Sequence, residues 1–154
     1  MSEYTACVKW QRGEQGFTDN SYSRGHEWIF DGGLTVPASS SPHVVPLPMS
    51  VEYSVDPEEA YVAALSSCHM LFFLSISAAR GFTVDQYVDN ARGIMEKDSS
   101  SRVSVTRVEL CPEAEFSGEE PTGDVIHEMH ELAHKKCFLA NSVKSEISIN
   151  LDKE

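Results

Sequence analysis

The stretch Asp56–Gly81, DPEEAYVAALSSCHMLFFLSISAARG, decides the fold. It begins with Asp56 as a helix cap, Pro57 at the first helical position and Glu59 three residues after the cap, which together form a capping box. The helix is predicted to run to residue 80 and to stop at Gly81. Its apolar residues surround the helix axis, and a helix that is apolar on all sides is buried on all sides. We therefore expect this helix at the centre of the fold.

Segments with the alternation typical of β-strands lie on both sides of this helix. Residues 3–12 and 21–33 predict an N-terminal hairpin, and the proline-rich residues 36–50 predict an extended loop. After the helix, residues 82–97 and 101–116 predict a second hairpin. A bulge is expected near Thr106, where the alternation changes parity.

A second helix is predicted to begin near residues 121–124 and to be followed by a last strand, SEISINL. Four of its residues recur at spacings of three and four and share one face: Ile126, Met129, Ala133 and Cys137. Cys137 therefore points toward the core. The order β-β-α-β-β-α-β predicts an α+β fold with strands clustered around a buried helix.

Length and composition limit the class of protein. A chain of 154 residues fits one domain, residues 1–154, and 41% hydrophobic with 23% charged residues is typical of soluble proteins. A net charge of -12 repels phosphate backbones and anionic membranes, so we expect no nucleic-acid partner. Five polar side chains interrupt the apolar residues 60–79, which argues against a membrane span. The opening residues are polar and lack a secretion-signal pattern, so we expect a cytoplasmic protein.

Four cysteines stand at positions Cys7, Cys68, Cys111 and Cys137. Cytoplasmic thiols are kept reduced, so these residues do not predict a framework of structural disulfides. Cys7 and Cys111 lie within strands and are interpreted as structural residues. Cys68 and Cys137 are each predicted on an apolar helix face. Either both are small buried hydrophobic residues, or folding brings them together as a redox pair. A disulfide between them requires Cα atoms within about 7 Å of each other, and the sequence alone does not establish that distance.

The two helical thiols differ in their surroundings. Cys68 lies beyond the reach of the dipole at the helix N-terminus, so it needs a cation from elsewhere to become a thiolate. Cys137 lies at a helix C-terminus, where the dipole disfavours a thiolate and Lys135 and Lys136 partly offset it, which suits a resolving thiol. His69 points about 100° away from Cys68 and is interpreted as a packing or supporting residue.

The segments DPEEAYVAALSSCHMLFFL (56–74) and HKKCFLANSVKSEI (134–147) resemble the two cysteine motifs of the OsmC/Ohr family, the osmotically inducible and organic hydroperoxide resistance proteins. The resemblance is closest to the OsmC-like branch and covers nearly the whole chain. It implies a thiol-dependent peroxidase that reduces organic hydroperoxides and acts as an intertwined homodimer. It also implies recycling by an external dithiol, such as a lipoyl group, and no metal or flavin cofactor.

The resemblance also implies roles for individual residues. Cys68 would be the peroxidatic thiol and Cys137 the resolving thiol, while Glu58 and Arg24 would hold the thiolate and the peroxide. Arg24 lies in SYSRGHEW, which replaces the glycine-rich surroundings of this arginine in the Ohr branch. Ten residues of straight helix rise about 15 Å, so Glu58 cannot touch Cys68 of its own helix. If both belong to one site, a partner chain must complete it.

A zinc motif overlaps the second thiol. HELAH, His130 to His134, matches the H-E-x-x-H pattern in which two histidines one turn apart bind zinc. A third, carboxylate ligand would have to come from the few residues that follow: Glu146, Asp152 or Glu154. Adventitious binding of a divalent metal by the helix histidines and Cys137 is a second alternative. Exposed histidines without a function, His127 included, remain the default interpretation.

A non-enzymatic function is the main alternative to the peroxidase. The chain would then be a stress-related protein of the same fold that binds a small apolar ligand at the cleft of the dimer. The sequence leaves the identity of the hydroperoxide or ligand open, because pocket shape depends on loops such as residues 36–50.

Overall fold

The computed structural model describes residues 1–152. By its contacts the chain divides into two compact units, an N-terminal unit of Met1–Ala60 and a C-terminal unit that begins at Tyr61. The architecture is α+β, as predicted. One domain over residues 1–154 stays a prediction.

The N-terminal unit contains one antiparallel sheet. Its strands are β1 (Ala6–Lys9), β2 (His26–Phe30) and β3 (Thr35–Ala38), in that order. The first two strands form the predicted hairpin, whereas β3 is a correction, because it occupies the start of a segment predicted as a loop. Pro37 pairs with Glu27 in this strand. A proline is tolerated there because β3 lies at the sheet edge, where its missing N–H removes no ladder hydrogen bond.

Helix α1 spans Pro57–Ala79, close to the predicted bounds. The capping box is formed: the Asp56 N–H donates to Glu59 Oε1 at 2.8 Å, and the Glu59 N–H donates to Asp56 Oδ1 at 2.8 Å. Gly81 follows the helix with φ of +83°. Glycine adopts this left-handed conformation without a steric cost, which explains why the helix ends where it was predicted to end.

Helix α1 is buried on one face of this chain, which corrects the prediction of burial on all sides. The buried residues are Leu65, His69, Phe73, Ile76 and Ser77. Elsewhere on the helix apolar side chains stay exposed, and Leu71 is 60% exposed. Apolar composition shows that a surface can be buried but not that the same chain buries it. By length and composition α1 could also cross a membrane, a property shared by core helices of soluble proteins.

Within residues 61–152 of the C-terminal unit, five strands form two sheets. They are β4 (Thr83–Asp89), β5 (Arg92–Lys97), β6 (Val103–Leu110), β7 (Pro112–Ser117) and β8 (Glu146–Ile149). Strand β4 pairs with β7, while β5, β6 and β8 form the second sheet with β8 parallel to β6. Strand β8 is the predicted last strand.

Each long segment of the predicted second hairpin divides between these two sheets, which corrects that prediction. Asp89 accounts for the division, because its Oδ1 accepts a hydrogen bond from the Cys111 N–H at 2.7 Å. The backbone donor between β6 and β7 is therefore satisfied by a side chain and not by a neighbouring strand. In the pairing of β5 with β6, Ile94 faces Arg107 and Met95 faces Val105. An extra residue, at position 106, is left between them, so the predicted bulge is confirmed.

Helix α2 spans Gly123–Lys136, with Thr122 as its N-cap. The predicted buried face is confirmed: Met129 and Ala133 are 0% exposed, and Cys137, directly after the helix, is 1% exposed. Met129 and Ala133 form one core cluster with Phe73 of α1, and other residues of α1 and β6 form a second cluster. The cores of this unit thus hold α1 against α2 and against the sheet.

Candidate active site

The two helical thiols lie next to each other in the C-terminal unit. Cys68 lies midway along α1 and is half-buried, while Cys137 is buried directly after α2. The Cys137 N–H donates to the Ala133 carbonyl oxygen at 2.9 Å, which fixes the backbone of Cys137 to the last turn. The side chain of Cys68 lies close enough to the Cys137 thiol to raise its pKa. Folding therefore brings the predicted pair together.

The environment of Cys137 favours its protonated form. Burial, followed by the neighbouring Cys68 side chain, raises the pKa of the Cys137 thiol to about 11. The Ala140 N–H donates to Cys137 Sγ at 3.4 Å and opposes part of this rise. At neutral pH Cys137 is consequently a thiol and not a thiolate.

Cys68 lines a pocket of about 550 Å³ in the C-terminal unit. Most of the pocket wall is apolar, with Leu71 and Phe72 from α1 and Phe138 and Leu139 from the segment after α2. The Phe72 and Phe138 rings meet edge to face, with centroids 5.1 Å apart. An apolar molecule that enters this pocket reaches the Cys68 side chain, with the buried Cys137 beside it.

Glu58 and Arg24 line a separate pocket, of about 480 Å³, formed by residues of the N-terminal unit. The aromatic rings of Trp10, Phe17 and Tyr22 supply part of its wall. Glu58 Oε2 is buried and has no hydrogen-bond partner within residues 1–152. A carboxylate oxygen of this kind is available to accept a hydrogen bond from a molecule that enters the pocket.

Arg24 is held by neutral groups of its own neighbourhood. Its Nη1 donates to the Asn20 carbonyl oxygen at 3.0 Å and also to the Tyr22 carbonyl oxygen, and its Nη2 donates to Asn20 Oδ1 at 2.7 Å. The guanidinium carbon lies 3.7 Å from the centroid of the Tyr22 ring. Its partners are therefore not the surface carboxylates that an ordinary strand arginine would bind, and the side chain is fixed at the pocket wall.

The burial of His130 differs from the exposure expected of the helix histidines. His130 is 3% exposed, not an exposed helix histidine, and its Nδ1 lies 2.9 Å from Nε2 of His69, which is 1% exposed. Its place seven residues before Cys137, on the same helix face, was the signal that could have predicted this burial. His127 is exposed, as the default interpretation of the helix histidines expected, and its Nε2 lies 3.5 Å from Glu131 Oε1.

Both buried imidazoles are kept neutral. Burial, with a smaller contribution from His134, lowers the pKa of His69 to about 4. Burial, with smaller contributions from His69 and His127, lowers the pKa of His130 to about 3. The interpretation of His69 as a packing and supporting residue agrees with this environment.

The H-E-x-x-H motif does not form a metal site within residues 1–152. No group of three or more histidine, cysteine, aspartate or glutamate side chains in that part of the chain is arranged to hold a metal ion. Of the motif's two histidines, His130 is engaged with His69. Glu154, one of the third ligands considered, lies outside the described residues.

Comparison with known proteins identifies relatives of the whole chain. A family model described as OsmC-like protein matches residues 52–152. An OsmC-like protein of unknown function from Vibrio cholerae is 56% identical, with a TM-score of 0.96 over 97% of this chain and 99% of that one. No curated protein matches the sequence.

More distant structures share the fold. An organic hydroperoxide resistance protein from Elizabethkingia anophelis is 14% identical, with a TM-score of 0.69 over 98% of this chain and 99% of that one. The organic hydroperoxide resistance protein OhrB of Bacillus subtilis is 16% identical, with a TM-score of 0.65 over 96% of this chain and 98% of that one. The family match, the fold and the two cysteine motifs agree, and the chain belongs to the family of OsmC-like proteins.

Proposed function

We propose that this protein is a cytoplasmic, thiol-dependent peroxidase that reduces organic hydroperoxides. The observation that carries the proposal is the proximity of Cys68 to Cys137 beside an apolar pocket. Two distant relatives of the same fold carry the name organic hydroperoxide resistance protein, which supports the same chemistry. Nucleic acids and membranes are not expected partners.

In the first step the Cys68 thiolate attacks the terminal oxygen of the hydroperoxide. The O–O bond breaks, the sulfur takes the hydroxyl group as a sulfenic acid, and the alkoxide leaves as an alcohol after it gains a proton. The apolar pocket wall favours hydroperoxides with an apolar body. Cys68 is the thiol that such a substrate reaches, because it lines the pocket while Cys137 lies buried beside it.

In the second step Cys137 resolves the sulfenic acid. The Cys137 sulfur displaces the hydroxyl group from Cys68, so that a disulfide and one water molecule form. The raised pKa keeps Cys137 protonated in the resting enzyme, and its proton leaves as the S–S bond forms. A dithiol, such as a dihydrolipoyl group, then reduces the disulfide by two exchange steps and is itself oxidised to a cyclic disulfide. No resident metal or flavin takes part.

Glu58 and Arg24 are proposed to hold the thiolate and the peroxide in a homodimer. Glu58 and Cys68 both lie on α1, where ten residues of straight helix rise about 15 Å. A second copy that covers the exposed apolar side chains of α1, such as Leu71, brings its own Glu58 and Arg24 to Cys68 of the first copy. The buried oxygen of Glu58 that lacks a partner within residues 1–152 is consistent with this role.

Turnover of cumene hydroperoxide or tert-butyl hydroperoxide with dihydrolipoamide as the reductant tests the proposal. We expect Cys68→Ser to reduce turnover to the uncatalysed rate, because it removes the nucleophile. Cys137→Ser should still form the sulfenic acid in a single turnover but should form no intramolecular disulfide. Cys7→Ser, which changes an exposed thiol of β1, is the matched control and should keep full activity.

Undiminished turnover in Cys68→Ser would contradict the peroxidase. No peroxide consumption by the wild-type protein, together with slow and unselective oxidation of its thiols, would instead favour the non-enzymatic alternative. In that case the apolar pocket beside Cys68 would serve as the site of a small apolar ligand.

A further inference from the structure

The His69–His130 pair lies in the same helix contact as the two thiols. His69 directly follows Cys68 on α1, and His130 of α2 lies about two helical turns before Cys137, the residue that directly follows that helix. The fully buried Ala133 stands between His130 and Cys137 along α2, and its small side chain adds little bulk to the contact. A change in the packing of α1 against α2 at the imidazoles therefore also changes the relative positions of the two sulfur atoms.

The contact between the imidazoles is directional. His69 Nε2 and His130 Nδ1 are 2.9 Å apart, and the ring planes differ by 2°. The His130 ring also stacks on Phe73, with centroids 4.1 Å apart. Apolar contacts tolerate small sliding movements of two helices, whereas a hydrogen bond weakens steeply with distance and angle. The pair consequently restricts the position of α2 on α1 more closely than the surrounding apolar residues do.

The hydrogen bond requires one ring nitrogen to donate and the other to accept, so the accepting ring must be neutral. His69 Nδ1 is buried and lacks a hydrogen-bond partner within residues 1–152. A buried N–H without an acceptor is costly, so we assign Nε2–H of His69 as the donor and leave its Nδ1 as a bare lone pair. His130 Nδ1 is then the acceptor. Burial keeps both rings neutral at physiological pH, so the bond persists there.

We propose that His69 and His130 are positioning residues for the thiol pair, because their hydrogen bond holds α2 in place against α1. The position of the helices sets how often the two sulfur atoms meet in bonding geometry, which determines the equilibrium between dithiol and disulfide. This inference rests on the proposed function, since it concerns the Cys68–Cys137 disulfide.

The test measures that equilibrium in glutathione buffers, in which the dithiol and oxidised glutathione exchange with the disulfide and two reduced glutathiones. The double variant His69→Phe with His130→Phe keeps two planar rings and leaves no orphaned imidazole, but it cannot form the hydrogen bond. We expect its equilibrium constant for disulfide formation to fall about tenfold. Met129→Leu changes the same buried helix contact without touching the pair, and its constant should stay within about twofold of wild type.

Two conservative variants test the hydrogen bond by rescue. His69→Gln places an amide N–H near the position of Nε2, and His130→Asn places an amide oxygen near the position of Nδ1. Each should keep the equilibrium constant closer to wild type than the double phenylalanine variant does. In single-turnover experiments the positioning role also predicts unchanged formation of the Cys68 sulfenic acid and slower closure of the disulfide.

A folded double variant with the wild-type equilibrium constant and closure rate would overturn the inference while leaving the peroxidase intact. If the double variant does not fold, His130→Leu decides, because it removes one partner of the hydrogen bond. A wild-type equilibrium constant and closure rate in that variant would overturn the inference as well. Failure of the wild-type protein to form the Cys68–Cys137 disulfide at any glutathione ratio would overturn the proposed resolving chemistry and this inference with it.

Discussion

Cys68 and Cys137 are chemically the same side chain in two different environments. Cys68 is half-buried and borders an apolar pocket, whereas Cys137 is 1% exposed and follows the last turn of a helix. Burial raises the pKa of Cys137, so its thiolate is scarce near neutral pH. This asymmetry agrees with the proposed order of events, in which the accessible thiol reacts with peroxide and the buried thiol resolves.

The first prediction concerns the titration of Cys137. The difference in ultraviolet thiolate absorbance between wild type and Cys137→Ser should rise with a midpoint near pH 11. Because the pKa in the folded protein lies above the ordinary value of 9.0, the proton bound to Cys137 stabilises the fold below pH 9. This contribution is lost as the pH rises through about 11.

Unfolding experiments check the same linkage. The free energy of unfolding of wild type relative to Cys137→Ser should decrease between these two pH values. A difference titration with its midpoint at or below 9.0 would show that burial does not control this thiol.

Helix α1 begins with a capping box, and a proposed site residue lies in the same first turn. The reciprocal hydrogen bonds of Asp56 and Glu59 satisfy two backbone N–H groups that would otherwise lack helical partners. Glu58 lies between these two residues in the first turn. The capping box therefore orders the turn that carries the proposed catalytic carboxylate.

The second prediction concerns this capping box. Asp56→Ala should lower the free energy of unfolding by about 1 kcal/mol, because the Glu59 N–H loses its acceptor. Denaturant unfolding measures the change, and Glu52→Ala, an exposed carboxylate before the helix, is the matched control. Asp56→Ala and Glu59→Ala together should cost less than the sum of the single changes, since they break one reciprocal pair. Additive effects would mean that the two hydrogen bonds act independently.

Across the whole molecule, the proposed site residues lie in two pockets. Arg24 and Glu58 line the pocket of the N-terminal unit, and Cys68 lines a pocket of the C-terminal unit. The exposed apolar side chains of α1 indicate a surface that a single chain does not cover, and Leu71 is the clearest example. These observations motivate the proposed homodimer, in which each site would take residues from both copies.

The third prediction tests that shared site by complementation. Glu58→Ala and Cys68→Ser should each be inactive alone, but a mixed dimer of the two contains one site with both native residues. Unfolding and refolding an equal mixture should therefore restore about a quarter of wild-type activity, because half of the dimers are mixed and each has one intact site of two. Light scattering of the unmixed proteins checks the dimer itself. Recovery that stays at zero in confirmed mixed dimers would place Glu58 and Cys68 of one site on the same chain.

Much of the fold and part of the site could be predicted from local pattern. The bounds of α1, its capping box, the buried face of α2 and the bulge at Thr106 depend on residues within a few positions of one another. The division of the second hairpin at Asp89 could not be predicted, because a side chain competes there with the strand ladder for the Cys111 N–H. The exposed faces of α1 were mispredicted because apolar composition does not say which chain covers a surface.

Sequence alone was sufficient for the α+β class, the family and the candidate thiols, because capping, periodicity and motif spacing are encoded along short segments. The proximity of Cys68 to Cys137 and the raised pKa of Cys137 required the folded chain. The same holds for the buried His69–His130 hydrogen bond. Each of these depends on two residues that are more than sixty positions apart in the sequence. The short distance between them and the low dielectric around them exist only when α1 and α2 pack together.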